Sequence, residues 1–245
     1  MELTQFKKSL RRYSSKERAE SNVRFFKTDK GEYGYGDFFL GITVPNTRKI
    51  LKEFSGKLEL KDAVELLQSK YHEERLAGVI LLVSLYKINN EKTPLSPEAI
   101  ARRRKIILNT YLKNTNRVNS WDLVDVSAPR IVGDYLLIRD RKILYKFAKS
   151  KSLWERRIAI ISTMMFIKNK EYDDCFKLCE ILMNDKEDLM HKACGWALRE
   201  VGKNCGQKVL NKFLDKHVKN MPRTMLRYSL EKHNEKDRKK YMGLK

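Results

Sequence analysis

The sequence has little proline and few glycines, and it has no long hydrophobic run. Its 245 residues include 5 prolines and 11 glycines, so little interrupts a helix. The longest apolar stretch, VILLV at 79–83, falls far short of the ~20 residues that a membrane-spanning helix needs and predicts a buried helix. Because the N-terminus also lacks the apolar centre of a signal peptide, we expect a cytoplasmic protein without membrane association.

Cysteine is also scarce and is not spaced for metal binding. No Cys-x-x-Cys pair occurs, and the only histidine near the cysteines is His191. In a cytoplasmic protein this spacing favours free thiols over disulfides or zinc ligands, so we predict no metal site and no cofactor. The four cysteines are Cys175, Cys179, Cys194 and Cys205.

Basic residues are abundant. Lys and Arg number 52 against 31 acidic residues, a formal net charge of +21, while 42% hydrophobic content indicates a globular chain. An imbalance of this size repels itself in a compact fold, so it favours a polyanionic partner. Nucleic acid fits best because each basic contact to phosphate releases counterions. A basic surface that serves solubility alone is the alternative.

Helical patterns run along almost the whole chain, which predicts an all-α fold in one domain over residues 1–245. Thr43 and Ser96 precede two of the helices as capping residues, and Pro97 follows at a first-turn position. Residues 27–41 alternate glycines and aromatics, which predicts a small hairpin or a compact loop. Residues 234–245 read as a polar C-terminal tail.

A helix-pair theme recurs in the second half. Residues 152–167 and 188–202 share a polar or aromatic start, basic residues and a small-residue apolar face, with one helix between them. A helix pair that returns after some three dozen residues is typical of a HEAT-like α-solenoid. Such a superhelix has a concave face, and here we expect that face to be a basic groove suited to duplex DNA.

The stretch SWDLVD contains an aromatic-carboxylate pair. Trp121 and Asp125 stand four residues apart, so they share one face of a helix. Asp122 lies in the first turn after a cap at Ser120 or Asn119, where the helix dipole explains a carboxylate. Asp125 lacks that explanation and therefore needs a cationic or hydrogen-bonding partner, either permanent or brought by a ligand.

Two distant residues are candidate companions of Asp125. Arg157 lies one helix pair further along, and a structural Asp-Arg ladder between repeats is one interpretation of Asp125 and Arg157. Trp196 lies in the next pair. Two tryptophan faces beside a carboxylate, with Trp121 as the first, would instead suit a cationic ring.

SWDLVD, WERRIAI and KACGWALRE, in this order, resemble the AlkD-like DNA alkylation-repair family, whose members are HEAT-like-repeat alkylpurine DNA glycosylases. The segment RFFKTDKGEYGYGDFFLGITVPNTRKI is also similar to family members, so the resemblance covers roughly residues 1–230. It implies hydrolytic removal of cationic N3- and N7-alkylpurines from duplex DNA, without a base-flipping pocket and without strand cleavage.

The resemblance also implies roles for individual residues. Asp125 matches the catalytic carboxylate, Trp121 and Trp196 match the lesion-site tryptophans, and Arg157 matches a residue that grips the DNA backbone. Phe25 matches a further aromatic position, where a close relative has tyrosine. Three more basic residues beside these motifs are candidate DNA contacts: Arg156, Lys192 and Arg199.

Two other functions stay open. The GEYGYGD insertion in residues 27–41 departs from the founding member, and some relatives with a hairpin in this family bind branched DNA without excision. A non-catalytic binder of branched or damaged DNA is therefore the second hypothesis. A protein-interaction solenoid is the third, which the charge disfavours. A monomer that associates with the nucleoid when bound to DNA is the family expectation.

Overall fold

The computed structural model describes residues 1–87 and 95–244, and its regular secondary structure is helical. Within those ranges no β-strand forms, and the one extended pairing is an isolated bridge between Phe38 and Tyr71. The prediction of an all-α fold is confirmed. Across residues 1–87 and 95–244, no helix combines the length and the hydrophobicity that a membrane span requires.

The chain forms two compact units, Met1–Ser127 and Ala128–Lys245. A single domain, a HEAT-like superhelix and a concave groove stay predictions. The first unit ends in a helix that leads into the second. Its helices are α1 Glu2–Arg11, α2 Lys16–Phe25, α3 Val44–Glu53, α4 Leu60–Leu67, α5 His72–Lys87, α6 Pro97–Lys113 and α7 Trp121–Ala128, with a 3₁₀ turn at Thr115–Arg117.

The second unit begins with a π-helical turn, Pro129–Gly133. Its helices are α8 Asp134–Leu136, α9 Lys142–Ala148, α10 Leu153–Lys168, α11 Asp173–Leu182, α12 Asp188–Cys205, α13 Gln207–His217, α14 Arg223–Ser229 and α15 Glu235–Gly243.

Two predicted helix starts are confirmed. The Thr43 hydroxyl accepts a hydrogen bond from the Asn46 amide at 3.3 Å at the start of α3. The Ser96 hydroxyl accepts one from the Ala99 amide at 3.2 Å, and Pro97 opens α6. In each case the side chain satisfies an amide that has no partner within the helix.

In the first unit α5 is the central helix. Helices α3, α4 and α6 all pack against it. Its middle is buried on every side, which explains why the VILLV segment shows no polar face. Gly78 lies on the α4 side, where an added Cβ would approach the Ala63 carbonyl oxygen to 3.0 Å, so its lack of a side chain permits close helix packing.

In the second unit the helices pack as stacked pairs. Helices α9 and α11 pack on α10, while α11 and α13 pack on α12, and α10, α12 and α14 are neighbours in that order. Gly195 on α12 lets α14 approach closely, because a Cβ there would lie 2.5 Å from the Met225 carbonyl oxygen. This arrangement is compatible with the predicted repeat of helix pairs.

Residues 27–41 form a compact loop, one of the two predicted alternatives. The Leu40 carbonyl accepts a hydrogen bond from the Ser15 amide at 3.0 Å, which ties the loop to the start of α2. Gly41 has φ +75°, and a Cβ there would lie 2.1 Å from the Ser15 carbonyl oxygen, so this close approach requires glycine.

The predicted polar tail is an ordered helix, α15. Its surface is polar, yet Tyr241 is buried and donates a hydrogen bond from its hydroxyl to Asp215 Oδ1 on α13 at 2.8 Å. Periodicity did not reveal this helix, because it docks mainly through a single aromatic side chain.

Candidate functional site

Helix α7 carries Trp121 and Asp125 one turn apart. The helix begins at Trp121, and both side chains are partly exposed, while Leu123 and Val124 between them are buried in the first unit. The predicted common face of Trp121 and Asp125 is therefore the edge of α7 that lies between the core and solvent.

Aromatic rings surround Trp121. Phe26 stacks on the indole with ring centroids 5.4 Å apart and planes 15° apart. Phe25, at the end of α2, meets the same indole edge-on at 5.8 Å and exposes 62% of its surface. The structure thus brings the predicted residues Phe25 and Trp121 together and leaves one aromatic ring open to solvent.

Two further rings, those of Phe39 and His72, pack against Phe26. Phe39 of the loop stacks on Phe26 at 5.1 Å, and the His72 ring at the start of α5 lies 4.7 Å from Phe26 and 5.0 Å from Phe39. The indole of Trp121 therefore rests on a stack that ends at a buried histidine.

The His72 ring lies between two carboxylates. Its Nδ1 is 3.1 Å from Asp37 Oδ2 in the loop, and its Nε2 is 2.8 Å from Asp122 Oδ2 on α7. All three side chains are largely or fully buried. Together they connect the loop, α5 and α7 through one imidazole.

Arg75 completes this cluster, which we call the His72 cluster (Asp37, His72, Arg75 and Asp122). The Arg75 guanidinium donates to Asp37 Oδ1 at 2.6 Å, and the amide of Asn119 donates to the same oxygen at 3.3 Å. Two buried cations then face two buried carboxylates, so the cluster carries no net charge when all four groups are ionised.

The pKa values follow from burial and these contacts. Burial alone would lower the pKa of His72, but the Asp122 and Asp37 carboxylates outweigh it and raise the pKa to about 9. Burial likewise opposes ionisation of Asp122, yet His72, Ser120 and the Leu123 amide lower the pKa of its carboxyl. For Arg75 burial dominates and lowers the pKa.

Asp122 therefore does more than complement the helix dipole. Its Oδ1 accepts the Leu123 amide at 2.9 Å inside the first turn, as helix electrostatics predicts. Its Oδ2 contacts His72, fifty positions earlier in the chain. The sequence interpretation of Asp122 was correct but incomplete.

Sequence reasoning missed the first turn of α5. His72, Glu73, Glu74 and Arg75 are all buried, although each is ionisable. Glu73 accepts hydrogen bonds from three consecutive loop amides, those of Leu40, Gly41 and Ile42, at 2.9 to 3.3 Å. The available signal was four consecutive ionisable residues that open an otherwise apolar helix.

Asp125 lies close enough to Tyr111 of α6 to influence its ionisation. Burial raises the pKa of the Tyr111 phenol, and the Asp125 carboxylate raises it further, against the hydrogen bond with Ser127, which lowers it. The Tyr111 and Ser127 hydroxyl oxygens are 3.0 Å apart. The phenol therefore stays protonated beside the carboxylate.

In the second unit one face of α12 carries three predicted site residues at helical spacing, Lys192, Trp196 and Arg199, all partly exposed. Lys192 pairs with Asp188 at 2.9 Å, and Arg199 pairs with Glu231. On this face the Trp196 ring lies between two cations, each of which pairs with a carboxylate.

The two arginines of α10 are engaged within the second unit. Arg157 exposes 4% of its surface and donates to the Leu189 carbonyl at 3.2 Å. Arg156 donates to Asp185 Oδ2 at 2.6 Å and to the Ser150 carbonyl at 3.0 Å. The predicted DNA contacts of both residues stay predictions, as do the catalytic roles of Asp125, Trp121 and Trp196.

The cysteines lie in the second unit as free thiols. Cys175, Cys179 and Cys194 are buried together, and burial with the two neighbouring thiols raises the pKa of Cys179. Across residues 1–87 and 95–244, no three His, Cys, Asp or Glu side chains are placed to hold a metal ion.

Comparison with known proteins identifies related chains. A sequence model of a family described as DNA alkylation repair enzyme matches residues 6–233. A solved structure described as a predicted DNA alkylation repair enzyme from Enterococcus faecalis matches with a TM-score of 0.64 and 17% sequence identity, over 91% of this chain and 97% of that chain. At that identity the likeness establishes the fold. No curated protein sequence matches significantly.

Proposed function

The chain belongs to the DNA alkylation repair enzyme family, and we propose that it is a monofunctional glycosylase for cationic alkylpurines. Its substrate is double-stranded DNA that carries N3- or N7-alkylated purines, and its reaction is hydrolysis of the N-glycosidic bond. It acts as a cytoplasmic monomer, bound to the nucleoid when it engages DNA. The family supports a role in DNA repair; the reaction and the substrate are our proposal.

The observation that carries this proposal is the arrangement on α7. Asp125 lies one turn from Trp121 on a partly exposed edge, and the exposed ring of Phe25 meets the same indole. An aromatic wall attracts a cationic base through cation–π interaction, and a carboxylate stabilises positive charge that develops on the sugar. This pairing suits a substrate that is already cationic.

The chemistry needs few groups. An alkylated purine with a formal positive charge leaves as a neutral base, so no general acid is required. As the bond from C1′ to the purine nitrogen breaks, the electron pair goes to the base and positive charge moves to the deoxyribose. Asp125 stabilises that charge and positions a water molecule, whose oxygen bonds to C1′ and whose proton is released to the carboxylate or to solvent.

The residues of the second unit have proposed DNA contacts. Trp196 packs on deoxyribose, and Arg157 binds a phosphate. Lys192 and Arg199 exchange their exposed carboxylate partners for phosphates, which a polyanion favours by counterion release. Arg156, which is held by Asp185, contributes positive potential near the backbone.

The test is base release from duplex DNA that contains N7-methylguanine. We expect the wild type to release the free base and Asp125→Asn to slow release on the order of 10²–10⁴-fold, because the amide cannot stabilise the sugar cation. Asp140→Asn, which removes an exposed carboxylate in the second unit, is the matched control and should keep wild-type activity.

Two outcomes would contradict the proposal. Equal rates for the wild type and Asp125→Asn would remove Asp125 from the reaction. No base release by a folded wild type, together with tight binding to a four-way junction, would replace catalysis with non-catalytic recognition of branched DNA.

A further inference from the structure

The His72 ring faces hydrogen-bond acceptors on both of its nitrogens. Nδ1 lies 3.1 Å from Asp37 and Nε2 lies 2.8 Å from Asp122. An ionised carboxylate can only accept, so each ring nitrogen must donate, and a ring that donates from both nitrogens is an imidazolium.

The contacts of Asp37 and Asp122 favour the ionised form of both carboxylates, so neither binds the proton in place of His72. Asp37 already accepts from Arg75 at 2.6 Å and from Asn119 at 3.3 Å. Asp122 accepts from the Leu123 amide at 2.9 Å. Donors around each carboxylate favour its ionised form, which leaves the proton on the imidazole.

The other charged groups near the first turn of α5 form their hydrogen bonds and ion pairs with residues other than His72. Glu73 binds the amides of residues 40–42, and Glu74 binds Arg11 at 2.7 Å and Ser69 at 2.7 Å. Arg117, in the 3₁₀ turn, donates to the carbonyls at the end of α4. His72 therefore meets Asp37 and Asp122 as its charged partners, with Arg75 behind Asp37.

His72 contacts two residues that adjoin Trp121, namely Asp122 and Phe26. It holds Asp122, the residue directly after Trp121, at the first turn of α7. It also lies 4.7 Å from Phe26, which in turn stacks on the indole at 5.4 Å. Both contacts constrain the start of α7, the helix that carries Trp121 and Asp125.

We propose that His72, as an imidazolium, is a positioning residue that clamps α7 to the loop and so sets Trp121 and Asp125 for excision. The inference deepens the proposed function and rests on it. His72 does not touch the substrate; it acts through Asp122 and Phe26.

Loss of the proton would release the clamp. A neutral imidazole has one donor, so one of the two buried carboxylates would lose its hydrogen bond from His72, and the cluster would carry a net negative charge. A small displacement of a catalytic helix is enough to slow a reaction strongly, since misplacement by about 1 Å costs on the order of 10²-fold.

The protonation state is tested on the wild-type protein without substrate. Nitrogen-detected NMR of ¹⁵N-histidine-labelled protein distinguishes a doubly protonated ring from either neutral tautomer. With His72 assigned by His72→Gln among the four histidines, we expect both ring nitrogens to stay protonated at pH 7.5. A single protonated nitrogen at that pH would overturn the proposal.

The positioning role is tested by excision. Under single-turnover conditions His72→Gln should excise N7-methylguanine at least about tenfold more slowly at pH 7, with duplex affinity within about twofold. The ratio of wild-type to variant rates should then fall as pH rises through about 9, because wild-type His72 loses its proton there. Titration of the substrate is common to both proteins and cancels in the ratio.

His217→Gln in the second unit is the matched control, since His217 also lies beside a carboxylate, 3.0 Å from Glu180. It should excise like the wild type. Equal rates for His72→Gln and the wild type, or a ratio that does not change with pH, would refute the positioning role while glycosylase activity stands. An inactive wild type with a doubly protonated His72 would refute the proposed function. The contact of His72 with α7 would then be tested by the NMR signal of the Trp121 indole, which must shift in His72→Gln.

Discussion

The indole of Trp121 lies nearly parallel to the ring of Phe26, with planes 15° apart and centroids 5.4 Å apart. Phe25, the preceding residue, meets the same indole edge-on. Phe26 is buried, whereas Phe25 is mostly exposed. Two adjacent phenylalanines therefore contact one tryptophan, but only Phe26 belongs to the core, whereas Phe25 faces the solvent.

This difference in burial predicts that matched substitutions of the two phenylalanines affect different properties, stability for Phe26 and DNA binding for Phe25. Phe26→Leu should destabilise the protein by about 1–2 kcal/mol, because it removes a buried ring and its stacking contact. Phe25→Leu should change stability by less than about 0.5 kcal/mol but weaken binding and excision of alkylated DNA. Urea unfolding and base-release assays on both variants measure the two effects. A larger loss of stability in Phe25→Leu would contradict the assignment.

Glu73 offers a second comparison. Its buried carboxylate accepts from three loop amides, so Glu73→Gln replaces one acceptor oxygen by an amide donor that faces other donors. We expect a loss of about 2–3 kcal/mol in the free energy of unfolding. The control is Glu65→Gln, an exposed partner of Lys7, which should cost less than about 1 kcal/mol. Similar losses in both variants would argue against a fixed loop.

Local features of this fold were predictable from the sequence. Thr43 and Ser96 cap α3 and α6 because a capping side chain satisfies an amide three positions away, which contiguous residues reveal. The common face of Trp121 and Asp125 follows from helical periodicity alone. The resemblance to a family added Phe25 to this pair, and the structure places its ring against Trp121.

The His72 cluster was not predictable in the same way. Its contacts join residues 35 and 50 positions apart, and no periodic pattern records which distant carboxylates meet one imidazole. Four ionisable residues at the start of α5 resemble an ordinary solvated first turn. Only the packing of the loop and α7 over that turn removes it from water.

The raised pKa of His72 predicts how stability depends on pH. Because the folded-state pKa is about 9 and that of free histidine is about 6.5, the imidazolium stabilises the folded protein fully below pH ~6.5. This stabilisation, on the order of 3 kcal/mol, is lost as pH rises through about 9. Urea unfolding between pH 6 and 10 should show the decline in the wild type.

His72→Gln is the reference for that measurement, since other titrating groups are shared and cancel in the difference. The gap in unfolding free energy between the wild type and the variant should narrow from pH 6.5 to 9. A constant gap over this range would mean that the two carboxylates do not raise the pKa of His72 in the folded state.

Lys192 tests whether the α12 face contacts phosphate. Each neutralised phosphate contributes about 0.9 to the slope of log affinity against log salt, so Lys192→Gln should make the slope for duplex DNA less negative by about that amount. The loss of affinity should be alike for different DNA sequences, because phosphate contacts carry no base information.

Lys216→Gln is the control. Lys216 on α13 is likewise a lysine paired with a carboxylate, that of Glu180, and its removal should leave the slope unchanged. The slope is measured by fluorescence anisotropy over a salt series. An unchanged slope for Lys192→Gln would mean that Lys192 keeps its ion pair with Asp188 in the complex and neutralises no phosphate.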